Sequence, residues 1–318
     1  MLVKKFVVYT VMTGGYDQIE QPAVIDDRFD YVLFSNDFDV DYIGVWQVRR
    51  IPDLPEIEGN YQHLLSRYPK THPETLLSEY EASLYKDANM QFVDNWVYNR
   101  CVEIYEKGGI YGTVQLYKHP YIPEFPRDCI YRHAYEVACM GVIHDYEAIK
   151  AMHKIYKTGF PEHYGMNENG LIFRKHTEWM KKVDEEWWQE ILHLAYRDQF
   201  SLMFVFWRNN FKPTEFLLPE GDATWTGLHM SVKKHDVMAV KKRKVTGKTI
   251  FELIRLKTRN YYPQNYLKYS EHWVWMLKKP HPEIWNFCWG IVFGIYNLPL
   301  TIVKYIQKSK DRQIASIH

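Results

Sequence analysis

The chain has 318 residues, of which 46% are hydrophobic and 25% are charged, and this balance excludes bulk disorder and a small disulfide-stapled fold. Its four cysteines form no Cys-x-x-Cys pair, which argues against a zinc site and indicates a reducing compartment. The net charge of +1 hides an asymmetry: residues 1–212 carry 23 Lys and Arg against 31 Asp and Glu, whereas residues 213–318 carry 17 against 8. Such a basic final third is typical of a segment that meets an anionic surface.

Strand and helix patterns alternate through the first two thirds of the chain. The opening KKFVVYTVM predicts a first strand rather than a signal peptide, because Gly-Gly-Tyr-Asp follows it without a small-residue cleavage pattern. Strands are also predicted at FDYVLFSND, IGVWQVRRI, YEASLYKD and, in a short form, NGLIFRKH. Helices are predicted near NYQHLLSRY and at FVDNWVYNRCVEIYEKGG, RDCIYRHAYEVACMG, HDYEAIKAMHKIYKTG, TEWMKKVDEEWWQEILHLA and DQFSLMFVFWRNN. The alternation predicts an α/β fold with a mostly parallel sheet that has helices on both faces.

Polar residues gather where the predicted strands end. These ends carry residues 13–17, 36–37, 49–50 and 87–89. Ligands of open α/β sheets bind beyond the carboxyl ends of the strands, so these residues define the predicted ligand side.

The tetrapeptide Lys-Asp-Ala-Asn, residues 86–89, is a candidate metal-binding motif at one of these strand ends. In an extended segment Asp87 and Asn89 would point to the same side, and oxygen ligands of this kind suit Mg²⁺ or Mn²⁺ together with substrate phosphates. The alternative is structural, with Asp87 in a turn or helix cap and Asn89 bonded to nearby backbone. Spacing alone favours the structural alternative.

Seven segments resemble, in order, a glycosyltransferase-like family shared by plant cell-wall and mucilage proteins and by bacterial capsule or surface-polysaccharide proteins. They are YTVMTGGYDQIEQP, DYVLFSND, YEASLYKDANMQF, HPYIPEFPRDCIYRHAYE, MNENGLIFRKH, WWQEI and YRDQFSL, and they span roughly residues 4–212. The resemblance implies a GT-A-like fold, a Rossmann-type α/β domain with a mixed, mostly parallel sheet that binds a nucleotide sugar and a divalent metal, Mn²⁺ or Mg²⁺. Asp87 and Asn89 match the position of the family's metal-binding D-x-D-like motif. Asn89 departs from the second aspartate that many such enzymes carry.

The resemblance also implies donor-binding residues. Thr13, Gly14, Gly15, Tyr16 and Asp17 match the first-strand loop, which would wall the nucleotide. Other matching positions are Arg67 and Lys70, which could neutralise phosphate oxygens, His119 at the start of the His-Pro segment, and Asn169, Arg197 and Gln199. For Arg67 and Lys70 a solvated surface charge is the alternative.

Glu168 and Asp198 are alternative catalytic bases. Glu168 precedes the predicted short strand, and Asp198 stands at a predicted helix start, where it could instead be an N-terminal cap. A carboxylate is needed only if the enzyme inverts the anomeric centre, since a base must then take the proton of the acceptor hydroxyl.

The C-terminal region, residues 213–318, is predicted to be a separate basic segment after a catalytic domain of residues 1–212. Its span 284–303 contains no charged side chain but includes Pro299. Interface-preferring rings and flanking lysines predict a helix that lies in the membrane surface, with a buried or oligomer-interface helix and a true membrane span as alternatives. The charges surround no recognisable nucleic-acid-binding module, so nucleic acid is not an expected partner.

Together these features predict a metal-dependent glycosyltransferase at the cytoplasmic face of the cell membrane. The expected donor is a UDP-linked sugar, and the expected acceptor is a surface or capsular polysaccharide or a lipid-linked glycan. Two alternatives remain: transfer of a sugar-phosphate or polyol-phosphate group, and a non-catalytic glycan-binding or scaffold protein.

Overall fold

The computed structural model describes residues 5–55, 57, 61–115, 127–219, 227–233 and 263–292, with the single positions 295, 296, 299, 302 and 303. The chain divides into two compact units. The first comprises Met1–Tyr117, Pro126–Asp128 and His163–Lys241, and the second comprises Lys118–Phe125, Cys129–Glu162 and Lys242–His318.

A seven-stranded mixed sheet forms the centre of the first unit. In chain order its strands are β1 (Phe6–Val11), β2 (Phe29–Phe34), β3 (Tyr42–Ile43), β4 (Trp46–Arg49), β5 (Ala82–Lys86), β7 (Tyr111–Gln115) and β8 (Asn167–Lys175). Across the sheet they follow the order β3-β4-β2-β1-β5-β8-β7. A separate two-stranded sheet pairs β6 (Met90–Phe92) with β9 (Met230–Val232).

The central strands β4, β2, β1 and β5 run parallel, whereas β3 and β8 run antiparallel to their neighbours. The chain moves outward from β1 through β2 to β4 and then returns to the other side of β1 with β5. Strand order therefore reverses between β1 and β5, and the crevice at the carboxyl ends of these strands is where doubly wound sheets bind ligands. The prediction of a mostly parallel α/β sheet is confirmed.

Helices cover both faces of this sheet. On one face Val8, Leu33 and Leu84 share an apolar core with Val97 and Cys101 of α4 (Trp96–Glu106). Alternate residues of a strand point to opposite faces of the sheet, so the residues next to Val8, Leu33 and Leu84 in sequence point to the other face. The remaining helices of this unit are α1 (Tyr61–Leu65), α2 (Tyr68–Thr71), α3 (Pro73–Leu76), α7 (Glu178–His193) and α8 (Leu202–Arg208).

The second face carries a buried polar network. Arg174 of β8 donates to Tyr9 Oη and to the backbone oxygen of Lys70, both over 2.6 Å, and binds Asp184 of α7 over 2.5 Å. His176 contacts the Tyr80 backbone oxygen and Ser83 Oγ, each at 2.9 Å, and burial lowers its pKa to about 4. These bonds satisfy polar groups that would otherwise be costly to bury.

Several predicted boundaries shift in the structure. The helix expected from residue 92 begins at Trp96, because Phe92 pairs with Met230 in β6 and Asp94 Oδ1 accepts a bond from the Trp96 backbone nitrogen. The helix predicted at DQFSLMFVFWRNN begins with a 3-10 turn, Asp198–Phe200. Thr177 caps α7 as predicted, accepting a bond from the Met180 nitrogen over 3.1 Å.

The second unit is helical in its described part. It contains α5 (Ile130–Cys139), α6 (Asp145–Lys157), α9 (Pro263–Leu277) and a helix over residues 282–292. Trp273, Met276 and Leu277 of α9 are buried, and His153 of α6 contacts the backbone oxygen of Leu277 over 2.9 Å. The predicted helices at RDCIYRHAYEVACMG and HDYEAIKAMHKIYKTG are confirmed.

The division into units differs from the predicted boundary at residue 213. Leu217, Leu218 and Met230 belong to the core beneath α4, so the chain immediately after residue 213 is part of the first unit. Conversely, residues 129–162 belong to the second unit although they lie within the predicted catalytic domain.

Candidate functional site

The candidate site begins at the turn that follows β5, at the carboxyl edge of the sheet. The Met90 nitrogen donates to the Asp87 carbonyl over 3.0 Å, which closes a four-residue turn over 87–90. The expectation of an extended segment is therefore wrong. Because the alternation rule holds only for extended chain, it does not bring the side chains of Asp87 and Asn89 to one point.

Asn89 is buried against β9. Its Nδ2 donates to the Lys233 carbonyl over 2.9 Å, while the Lys233 nitrogen donates to the Asn89 carbonyl over the same distance. The side-chain amide thus fastens the turn to a segment 144 residues away. Only Oδ1 of Asn89 could serve as a metal ligand, because an amide nitrogen that donates a hydrogen bond has no lone pair for a cation.

Asp87 is partly buried and held by its neighbours. Tyr85 Oη donates to Oδ1 over 2.7 Å, and the Asp87 backbone nitrogen donates to the Gly170 carbonyl over 2.8 Å. A Cβ on Gly170 would lie 3.0 Å from Oδ2 of Asp87 and would clash with the methyl group of Met90. The glycine therefore lets Met90 and Oδ2 of Asp87, the oxygen that Tyr85 does not engage, lie close to the β8 backbone.

A buried ion pair lies on the same side of the sheet. Lys70 Nζ of α2 is 2.5 Å from Asp198 Oδ2, both side chains are almost fully buried, and Arg67 Nε is 3.8 Å from Asp198 Oδ1. Burial alone would raise the pKa of Asp198, but Lys70, Arg67 and Arg197 together hold it well below the usual range. The Trp187 indole donates to the Asp198 carbonyl over 3.1 Å and fixes its backbone. Asp198 is therefore a permanently ionised partner of these cations.

Glu168 has the opposite electrostatic character. Burial raises the pKa of this carboxyl, with Asp87 and Asp198 adding to the effect and Arg127 and Lys70 opposing it. Gln199 Nε2 donates to Glu168 Oε1 over 3.1 Å. A carboxylate with a raised pKa is a better proton acceptor near neutral pH than one with a depressed pKa.

Arg197 and Gln199 support this carboxylate from the 3-10 turn. Arg197 Nη2 donates to Gln199 Oε1 over 3.1 Å, and Gln199 Nε2 in turn donates a hydrogen bond to Glu168 Oε1. Glu168 and Asn169 lie within β8, which begins at Asn167, and not ahead of a short strand as predicted. The earlier strand start follows from the pairing of Val114 with Glu168 and of Gln115 with Asn167.

The loop after β1 borders the same edge. Thr13 Oγ1 donates to the Gln62 carbonyl over 2.8 Å, and the Gly15 nitrogen donates to Asp37 Oδ2 over 3.0 Å. Gly14 and Gly15 have φ values of +67° and +58°, which side-chain-bearing residues adopt only with strain. Tyr16 lies near enough to Arg67 to affect its pKa.

Asn169 has unmet hydrogen-bonding capacity within the described part of the chain. The residue is 2% exposed, and its buried Nδ2 has no hydrogen-bond partner among the described residues. Buried amides of this kind are usually paired, so a partner from outside the chain would relieve a cost of about 1–3 kcal/mol.

The structure thus collects most of the predicted site residues around the carboxyl ends of β1 and β5. His119 lies outside the described residues, and Asp17 is partly exposed on the first-strand loop. Within the described chain, no three His, Cys, Asp or Glu side chains are arranged to hold a metal ion.

Sequence reasoning missed Tyr85, Gly170 and Lys233. Tyr85 stands two residues before Asp87 and points to the same face, which a strand assignment alone could have indicated. Gly170 and Lys233 act through chain pairings between distant segments, for which the local sequence contains no signal.

Comparison of the chain with protein-family models and with curated proteins finds no match. The resemblance to the glycosyltransferase-like family therefore stays a prediction.

Proposed function

We propose that the protein is a glycosyltransferase of the GT-A-like type, which moves a sugar from a nucleotide donor to a glycan acceptor. One observation carries the proposal: basic and acidic side chains of separate segments converge where strand order reverses, at the carboxyl ends of β1 and β5. This crevice is the general ligand position of doubly wound sheets.

The cationic groups fit a donor diphosphate. Arg67 and Lys70 come from one helical segment, while Arg197 stands beside Asp198. Asp198 holds Arg67 and Lys70 in place, so they are already oriented when an anion arrives. Preorganised cations stabilise the charge that grows on a departing diphosphate without the cost of reorganisation.

A divalent cation fits beside Asp87. Tyr85 engages Oδ1 of Asp87 and not Oδ2, and Asn89 can offer only its own Oδ1. Mg²⁺ commonly uses one or two protein oxygens and completes its shell with water and substrate phosphate, which suits a site with few protein ligands. When bound, Mn²⁺ or Mg²⁺ would neutralise diphosphate charge. Tyr85 sets the orientation of the Asp87 carboxylate by donating to its other oxygen.

Glu168 is the base of the proposed reaction. Its raised pKa lets it take the proton of an acceptor hydroxyl. The hydroxyl oxygen then bonds to the anomeric carbon of the donor sugar, and the bond from this carbon to the nucleoside diphosphate breaks. Asp198 is a weak base because its pKa is depressed, so its role is to hold Lys70 and Arg67.

The second unit supports association with a membrane surface. In the helix over residues 282–292, Pro282, Asn286 and Gly290 form the buried side. Large apolar side chains are exposed here and farther along: Ile284, Trp285, Phe287, Val292, Ile295, Tyr296, Ile302 and Val303. No helix within the described residues is both long enough and apolar enough to cross a bilayer. An exposed apolar surface with interface-preferring rings fits a protein that rests on the cytoplasmic leaflet.

Transfer is tested by incubating the full chain with Mn²⁺, a panel of UDP, GDP and CDP sugars, and lipid-linked or oligosaccharide acceptors. The expected product has gained a sugar mass without phosphate, whereas a gain of sugar phosphate would contradict the proposed reaction. Glu168→Gln should lower kcat by about 10²–10⁴-fold. A folded protein that neither binds nor turns over any nucleotide sugar would refute the proposal.

Membrane binding is tested separately by flotation with vesicles of phosphatidylserine and phosphatidylcholine. The double variant Ile284→Glu and Phe287→Glu should lose vesicle binding, because each added charge would have to enter the interface. Ile25→Glu, at an exposed apolar position of the first unit, is the matched control and should bind like the wild type. Equal binding of all three proteins would contradict a membrane role for this surface.

A further inference from the structure

An exposed aromatic cluster lies on the first unit, away from the charged residues of the site. The rings of Trp96 and His229 stack with centroids 4.4 Å apart and an angle of 13° between their planes. Trp96 is 44% exposed, and its neighbours Val93 and Leu228 are exposed as well.

One carboxylate contacts the imidazole of His229 and the backbone of Trp96. Asp94 Oδ2 is 2.7 Å from His229 Nδ1, and Asp94 Oδ1 accepts a bond from the Trp96 backbone nitrogen over 2.9 Å. The Asp94 side chain itself remains 46% exposed. The imidazole, held by Asp94, stacks on one face of the indole and restrains it before any ligand binds, which reduces the entropy lost on binding.

We propose that Trp96, His229 and Asp94 form a platform for a sugar ring of an acceptor glycan. A flat, rigid indole offers apolar contact to the C–H face of a pyranose, while Asp94 accepts hydrogen bonds from ring hydroxyls at its edge. The carboxylate also repels phosphate, so the platform fits a neutral sugar better than a nucleotide. This inference rests on the proposed function for its biological meaning, but its binding chemistry does not depend on it.

The β6–β9 pair connects the platform to the turn over residues 87–90. At one end the Lys233 nitrogen bonds the Asn89 carbonyl over 2.9 Å, and at the other the Val93 nitrogen bonds the His229 carbonyl over 3.1 Å. The four residue steps from 89 to 93, which include β6, span at most about 13 Å. The platform therefore holds a sugar at a distance from the one that reacts, and the occupant is a remote residue of a chain of several sugars.

The test is calorimetric titration of the full chain with neutral hexasaccharides of glucose, mannose and galactose and with the matching monosaccharides. We expect at least one hexasaccharide to bind and its monosaccharide to bind far more weakly. Trp96→Ala should weaken hexasaccharide binding at least tenfold, while Trp96→Phe should stay within about threefold because it keeps an apolar ring. Trp275→Ala is the matched control, since Trp275 is 40% exposed in the second unit and should not matter.

A parallel titration with UDP and Mn²⁺ separates this inference from the proposed function. UDP binding should be equal in wild type and Trp96→Ala, which also shows that the variant is folded. Loss of hexasaccharide binding in Trp96→Ala supports the platform even if no nucleotide binds, a result that would refute only the proposed function. Nucleotide binding without any hexasaccharide binding, or with binding that ignores Trp96, overturns the platform. A wild-type dimer that Trp96→Ala converts to a monomer would also overturn it, because the patch would then be a subunit interface.

Discussion

The buried carboxyls Glu74 and Asp184 predict how stability should depend on pH. Both lie behind Arg174, whose Nη1 is 2.5 Å from Asp184 Oδ2. Burial raises the pKa of both groups, and Arg174 opposes the rise in each. Asp184 adds to the rise for Glu74, whereas the Glu74 hydrogen bond lowers the pKa of Asp184. Arg174 compensates one negative charge, so the pair retains one proton well above the usual range of a carboxylic acid.

The direction of the pH effect follows from this proton. The pKa of Glu74 rises from 4.5 to about 8 in the folded chain. Between these values the folded state binds more protons at Glu74 than the unfolded state does. The contribution of Glu74 to stability is therefore full below about pH 4.5 and declines as pH rises towards 8. At about 1.36 kcal/mol per pKa unit, the upper limit is about 5 kcal/mol. We expect about 2 kcal/mol, because relaxation and water entry weaken the penalty for a buried charge.

Urea unfolding from pH 4.5 to 8.5 measures this effect. Glu74→Gln keeps the shape and can donate an amide hydrogen to Asp184, so its stability should change less with pH than that of the wild type. The difference between the two curves removes the contribution of His176, whose lowered pKa is common to both proteins. Parallel curves over the whole range would refute the assignment of the shared proton to Glu74.

Three further outcomes test other parts of the structure. His176→Gln should remove a loss of stability on acidification between about pH 6.5 and 4, because the neutral imidazole of the folded chain takes up a proton on unfolding. Urea midpoints at four pH values measure this loss, and an unchanged dependence of the midpoint on pH would contradict the prediction. Asn89→Asp should lower stability by about 1–3 kcal/mol, because a carboxylate would face the Lys233 carbonyl. Thermal unfolding at pH 7 measures this change, and a more stable variant would show that the side-chain hydrogen bond of Asn89 does not hold the turn. Glu168→Gln should abolish the acidic limb in the dependence of kcat on pH, whereas Asp198→Asn should leave that limb in place and mainly lower stability. The reverse pattern would make Asp198 the base.

The alternation of strands and helices could be predicted because each element has its own local pattern. The apolar run of β1 and the Thr177 cap of α7 are examples, since burial periodicity and capping act within a few residues. The position of Asp87 after a buried strand could be predicted for the same reason. Its turn conformation could not, because the turn depends on backbone bonds and on a partner at Lys233.

The ion pairing within the site also escaped prediction. Lys70 and Asp198 are 128 residues apart, and neither has a local pattern that identifies its partner. The extension of the first unit beyond residue 213 was missed because β9 has only three residues, too few to show a period. Whether Glu168 or Asp198 is the better base depends on neighbouring charges and burial, which only the folded chain defines.

Calorimetric titration of UDP in the presence and absence of Mn²⁺ tests the central proposal most directly. The wild type should bind UDP at least tenfold more tightly with Mn²⁺, and Asp87→Ala should lose this enhancement while remaining folded. Asp39→Ala, which changes an exposed aspartate elsewhere in the unit, should keep it. An enhancement that survives in Asp87→Ala, or a folded wild type that binds none of UDP, GDP and CDP, would contradict the account.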